Sequence, residues 1–140
     1  MHFEYQIEGS DFSTAGTISS NVKKYLKQLD IDGSIIKRTV VALYEAEVNI
    51  VAHAYRGVVE VDYFEDRIEI RLIDEGPGIP DIDKAMVAGF STASSAVREM
   101  GFGAGMGLPN IRNNTDILDI KSEVDVGTTV FMVNKFRQEI

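Results

Sequence analysis

A chain of 140 residues suffices for one domain with a sizeable core, and 44% hydrophobic and 26% charged residues are ordinary globular values that favour neither disorder nor a membrane span. No apolar run reaches the ~20 residues of a spanning helix and no signal-peptide stretch opens the chain, so a cytoplasmic protein without a membrane partner is expected. With no cysteine and only His2 and His53, disulfides, thiolate sites and a histidine metal cluster are excluded, and a net charge of −8 argues against nucleic acid as a direct partner.

No linker, repeat or low-complexity segment divides the chain, so residues 1–140 are read as a single domain. Phe3, Tyr5 and Ile7 alternate with polar neighbours, as in a half-buried strand. From about Ser13 the period becomes helical through Ile18, Val22, Tyr25, Leu26 and Leu29, with Ser13 or Thr14 available as the cap. After the break at Asp30–Gly33, a second helix is predicted from about Ser34 to Tyr55, ending near Gly57. Val59, Val61 and Tyr63, then Ile68, Ile70 and Leu72, predict a hairpin turning at Glu65-Asp66. The sequence Asp74-Glu-Gly-Pro-Gly-Ile-Pro80 continues neither strand nor helix. Asp81 is placed to cap a short helix through Ala88, and the Ser/Gly-rich stretch from Gly89 to Gly107 reads as a loop. A helix from about Leu108 to Asn114 and a hairpin of Ile117–Ser122 with Thr128–Phe136 close the chain. This order predicts an α+β two-layer sandwich, with helices on one face of a mixed, largely antiparallel sheet.

Three segments carry chemistry. The second helix is apolar nearly all round, yet Glu45, Asn49 and His53 recur at i, i+4 and i+8 and share one stripe. The stripe is either a set of ordinary solvated side chains or a functional row on a helix that is otherwise buried. Asp74-x-Gly76-x-Gly78 follows an apolar strand. Its glycines permit a sharp turn and a close approach, and its aspartate is suited to accept from a planar amine such as an adenine edge, although a plain turn has the same composition. Gly101-Phe-Gly103-Ala-Gly105-Met106-Gly107-Leu108 leads into a helix, where exposed backbone N–H groups favour phosphate, although a flexible linker is the other reading. No Gly-Lys-Ser/Thr follows and no strand precedes it, which excludes the P-loop and the dinucleotide fingerprint.

The ordered set, Glu45-x-x-x-Asn49, then Asp74-x-Gly76-x-Gly78, then the glycine run, then Gly127-Thr128-Thr129, resembles the GHKL (Bergerat-fold) ATPases, and among them the bacterial anti-sigma-factor serine/threonine kinases. The resemblance covers essentially the whole chain. It implies the Bergerat fold and magnesium-ATP as cofactor. It also implies a magnesium ligand at Asn49, a general base at Glu45 and an adenine-reading carboxylate at Asp74. Gly76, Gly78 and Ile79 would shape the base pocket, and Thr129 would support Asp74. Gly103, Gly105, Met106, Gly107 and Leu108 would lie under the phosphates, Phe90 to Ala104 would form a lid, and His53 would pack or lie beside the ribose. The partners implied are an anti-anti-sigma-type antagonist protein, a sigma factor and a second copy in a homodimer. Two other readings stand beside the kinase: a non-catalytic ATP- or ADP-sensing module, and a histidine-kinase-like ATPase domain. The longer Ser/Gly-rich lid and Pro109 depart from the anti-sigma pattern and bear on the sigma-binding surface more than on the nucleotide site.

Overall fold

The computed structural model describes residues 1–86 and 107–136. Strand β1 (His2–Glu8) is followed by a 3-10 turn (Phe12–Thr14) and helices α1 (Thr17–Gln28) and α2 (Gly33–His53). Strands β2 (Arg56–Tyr63) and β3 (Arg67–Glu75), helices α3 (Ile82–Ala85) and α4 (Gly107–Asn113), and strands β4 (Ile117–Glu123) and β5 (Gly127–Lys135) complete it.

The strands form one sheet in the order β1-β2-β3-β5-β4. Every pairing among the described residues is antiparallel, so the sheet is not mixed as expected. For two of the four pairings the physical reason is connectivity. Tight turns join β2 to β3 and β4 to β5, and tight hairpins can pair only antiparallel strands. Alternation then assigns the faces. Val59, Val61, Ile68, Ile70, Leu72, Val130 and Met132 are buried toward the helices. On the same face Phe3 and Tyr63 meet Tyr25 of α1 with ring centroids 5.3 and 4.4 Å away. The opposite face is polar: Arg71 lies 3.5 Å from Glu60 and 5.0 Å over the Phe131 ring. Helix α2 lies between α1 and α4 on the core face, which is why it carries apolar residues nearly all round. No helix among the described residues is long and apolar enough to cross a membrane.

The start of α1 differs from expectation. Ser13 and Thr14 hydrogen-bond back to Asp11, and the N-cap is Gly16 at φ 91°, whose lack of a side chain leaves the helix start without a local cap. Glu47 of α2 takes that role from across the core. It is 2% exposed, and its carboxylate accepts from the backbone N–H groups of Gly16 (2.9 Å), Ile18 (3.3 Å) and Ser19 (3.1 Å) and from the Ser19 hydroxyl (2.7 Å). These are the donors that every helix start leaves without internal partners, and the helix dipole favours a negative charge there. Helix α2 ends at His53 rather than Tyr55 because Tyr55 donates its N–H to Glu75 O of β3 and is already committed to the sheet.

Replacing Glu47 by Gln puts an amide NH2 against backbone donors and removes charge-assisted bonds, so unfolding stability should fall by about 2–3 kcal/mol. Urea denaturation measures this, and a loss below about 0.5 kcal/mol would show that α1 does not depend on the carboxylate.

Candidate functional site

Glu45, Asn49 and His53 lie along one side of α2, each half-buried, as their spacing predicts. Asn110 Nδ2 of α4 donates to Glu45 Oε1 at 3.4 Å, which identifies this side as the one that meets α4, away from the Glu47 side that meets α1. Neither Asn49 nor His53 makes a side-chain hydrogen bond among the described residues, so the amide oxygen of Asn49 is uncommitted there. Burial lowers the pKa of His53 and favours its neutral form.

The Asp74 turn is held between α2 and the β4–β5 hairpin. Gly76 donates its N–H to Val126 O (3.1 Å), and Pro77 O accepts from Asp125 N–H (2.9 Å). Gly78 has φ 75°, and a Cβ there would stand 2.4 Å from Glu123 O, so only glycine fits. At Gly76 a Cβ would stand 3.0 Å from Ala54 Cα and 3.5 Å from an Asp74 oxygen, beside the carboxylate itself. Asp74 is half-buried and accepts from the Thr128 backbone N–H at 3.0 Å through Oδ1. Burial raises its pKa, and the Thr128 bond opposes that rise. Oδ2 has no partner among the described residues.

Thr129 does not support Asp74. It pairs with Ile73, and strand alternation puts its side chain on the polar face of the sheet, whereas Thr128 is buried on the face that Asp74 shares. Because strand side chains alternate, a one-residue offset in the Gly-Thr-Thr segment exchanges the two faces. The Thr128 hydroxyl lies 2.8 Å from Ser122 Oγ, which also accepts from the N–H of Ile79 at 2.7 Å. Ser122 therefore fixes the far end of the turn, and Ile79 packs against the core. The sequence reading passed over Ser122, although its alternation with Leu118 and Ile120 marks it as inward-facing.

Gly107 opens α4, and Leu108 and Ile111 bury that helix in the core next to α2. Gly103, Gly105, Met106 and the expected lid, Phe90 to Ala104, lie outside the described residues. Asp81 caps α3 by accepting from Lys84 N–H at 3.0 Å, as predicted. Among the described residues no group of three His, Cys, Asp or Glu side chains could hold a metal ion.

Comparison with known proteins gives the same picture. The family model for the histidine kinase-like ATPase domain matches residues 10–134. The serine/threonine-protein kinase RsbT of Bacillus subtilis is 31% identical over 131 residues, 91% of this chain and 90% of the relative. The anti-sigma F factor of Caldanaerobacter subterraneus subsp. tengcongensis is 32% identical over 137 residues, 94% and 90% of the two chains. Among solved structures, the RsbU and RsbW domains of a Mycobacterium tuberculosis protein superpose with a TM-score of 0.62 at 18% identity, covering 94% of this chain. This chain spans only 32% of that one. The mycobacterial sensor histidine kinase MprB gives a TM-score of 0.53 at 17% identity, covering 96% and 97% of the two chains. At those identities the structures attest the fold alone. Family match, relatives and fold agree that the chain belongs to the histidine kinase-like ATPase family, alongside its serine/threonine-kinase and anti-sigma-factor members.

Proposed function

We propose that the protein is a magnesium- and ATP-dependent serine/threonine kinase that phosphorylates a small anti-anti-sigma-type antagonist, and that it holds a sigma factor in the alternate state of a partner switch. The observation that carries the reading is the side of α2 that meets α4, where Glu45 stands one turn before Asn49, both half-buried. A nucleotide sensor needs only the Asp74 turn and Asn49. A kinase also needs a group to take the hydroxyl proton, and Glu45 supplies one. The names of the RsbT and anti-sigma F relatives support the same choice.

The residues present fit the nucleotide. The Asp74 carboxylate keeps one oxygen for the adenine amine, in a turn where glycines leave room beside it. The uncommitted Asn49 oxygen suits a magnesium ion that keeps its other ligands from phosphates and water. When bound, magnesium-ATP supplies the transferable γ-phosphoryl group. The chain's own residues orient the base, hold the metal through Asn49 and take the hydroxyl proton at Glu45. Homodimerisation and a cytoplasmic location belong to the same proposal and rest on the family resemblance.

Two outcomes follow for the α2 row. Glu45→Gln, nearly isosteric, should leave ATP affinity roughly intact and reduce transfer of labelled γ-phosphate to the antagonist by about 10²-fold or more. Asn49→Ala should reduce both. Wild-type transfer to no partner, with nucleotide state still deciding which protein binds, would replace the kinase by the sensor.

Asp74 gives a third. Because burial raises its folded pKa, the ionised form carries a cost that is absent below the unfolded pKa and complete above the folded one. Asp74→Asn should therefore raise the melting temperature of the nucleotide-free protein at pH 7, with the advantage fading toward about pH 3, and should weaken ATP binding. A variant less stable at pH 7, with unchanged ATP affinity, would contradict both roles of the carboxylate.

A further inference from the structure

Helix α4 is joined to α2 at two heights. At its C-terminal end a buried amide relay fixes it. Asn134 of β5, 3% exposed, donates through Nδ2 to Thr39 Oγ1 of α2 (3.0 Å) and to the backbone oxygen of Asn114 (3.0 Å). Its Oδ1 accepts from Asp116 N–H at 2.9 Å, and Asn114 Nδ2 donates back to the Asn110 backbone oxygen at 2.8 Å. Thr39, 1% exposed, donates in turn to Ile35 O. These polar groups are satisfied in the core and set where α4 sits along α2. One turn above Asn114, the second joint is the Asn110 amide donating to Glu45 Oε1, the one hydrogen bond to Glu45 among the described residues.

We propose that Asn110 is the positioning residue for the base Glu45, and that the relay through Asn114, Asn134 and Thr39 holds Asn110 in place for that task. The inference rests on the kinase reading. A carboxylate half-buried on a helix has several rotamers, and one amide donor at Oε1 selects among them while leaving Oε2 to take a proton. As the acceptor oxygen bonds to the γ-phosphorus, ADP departs with the electron pair of the broken P–O bond and the hydroxyl proton passes to Oε2. At 3.4 Å the contact is long, as catalytic hydrogen bonds often are before substrate is bound. Asn110 is one turn into the helix that Gly107 opens, so a shift at the glycine-run end of α4 would reach Glu45 directly.

A double-mutant cycle tests the role, and the side-chain amide spectrum of the full chain tests the contact. Asn110→Ala and the isosteric Asn110→Asp should each lower kcat for transfer from labelled ATP to the purified antagonist by about tenfold, with KM for ATP unchanged. In the Glu45→Gln background neither should lower the residual rate further, because residues acting as one unit are not additive. Equal losses in both backgrounds, or a loss confined to KM, would overturn the proposal and leave Asn110 a packing residue. In 15N-labelled protein the Asn110 side-chain amide signal should shift on Glu45→Gln. An unmoved signal overturns the contact while leaving the kinase reading intact. A shifted signal with no wild-type transfer overturns the kinase reading and, with it, the role of Asn110 in transfer.

Discussion

Helix α2 sets the terms for the rest of the molecule. It packs on the sheet with α1 on one side and α4 on the other, so any polar side chain buried on it must find a partner. Thr39 and Glu47 find partners: the first on α2 itself and β5, the second on the start of α1. Among the described residues no buried side-chain nitrogen or oxygen lacks one. Asn49 and His53 are half-buried, make no side-chain hydrogen bond among the described residues, and share a stripe with Glu45.

The Asp74 turn shows the same economy at the end of the central strand. Asp74, Gly76 and Ile79 are each tied to the β4–β5 hairpin by a backbone hydrogen bond or by Ser122, so the carboxylate is presented by a rigid frame rather than a free loop. On the proposed adenine-reading role of Asp74 that rigidity matters, because a carboxylate that reads an amine is best placed before the ligand arrives. Charge imposes a further condition. A protein with formal charge −8 repels a triphosphate, so a nucleotide that binds it needs positive charge beside its phosphates.

Much of this was legible in the sequence, because periodicity reports burial. The strands, the span of α2 and the Glu45–Asn49–His53 stripe follow from alternation and i+4 spacing. What the sequence withheld were contacts between distant segments. Glu47 sits between stripe positions, and nothing local says that its carboxylate caps a helix that begins at Gly16. Ser13 and Thr14 are good caps by type, but Asp11 engages them and the chain turns once more at Gly16 before the helix begins. Thr128 and Thr129 are chemically identical, and only the register of β5 against β3 decides which shares a face with Asp74. Asn134 reads as a polar residue in a strand, and its position as a hub depends on three elements meeting.

The central claim is that the α2 stripe and the Asp74 turn together form a metal-dependent adenine-nucleotide site. Calorimetric titration of the full chain with ATP and with GTP, each with magnesium and with a chelator, tests it most directly. The account predicts binding of ATP with magnesium, weakened at least about tenfold by the chelator and by exchange of adenine for guanine, since a site built to pair a polar group rejects a ligand that cannot. Equal affinity for the two nucleotides, or ATP binding indifferent to magnesium, would contradict it.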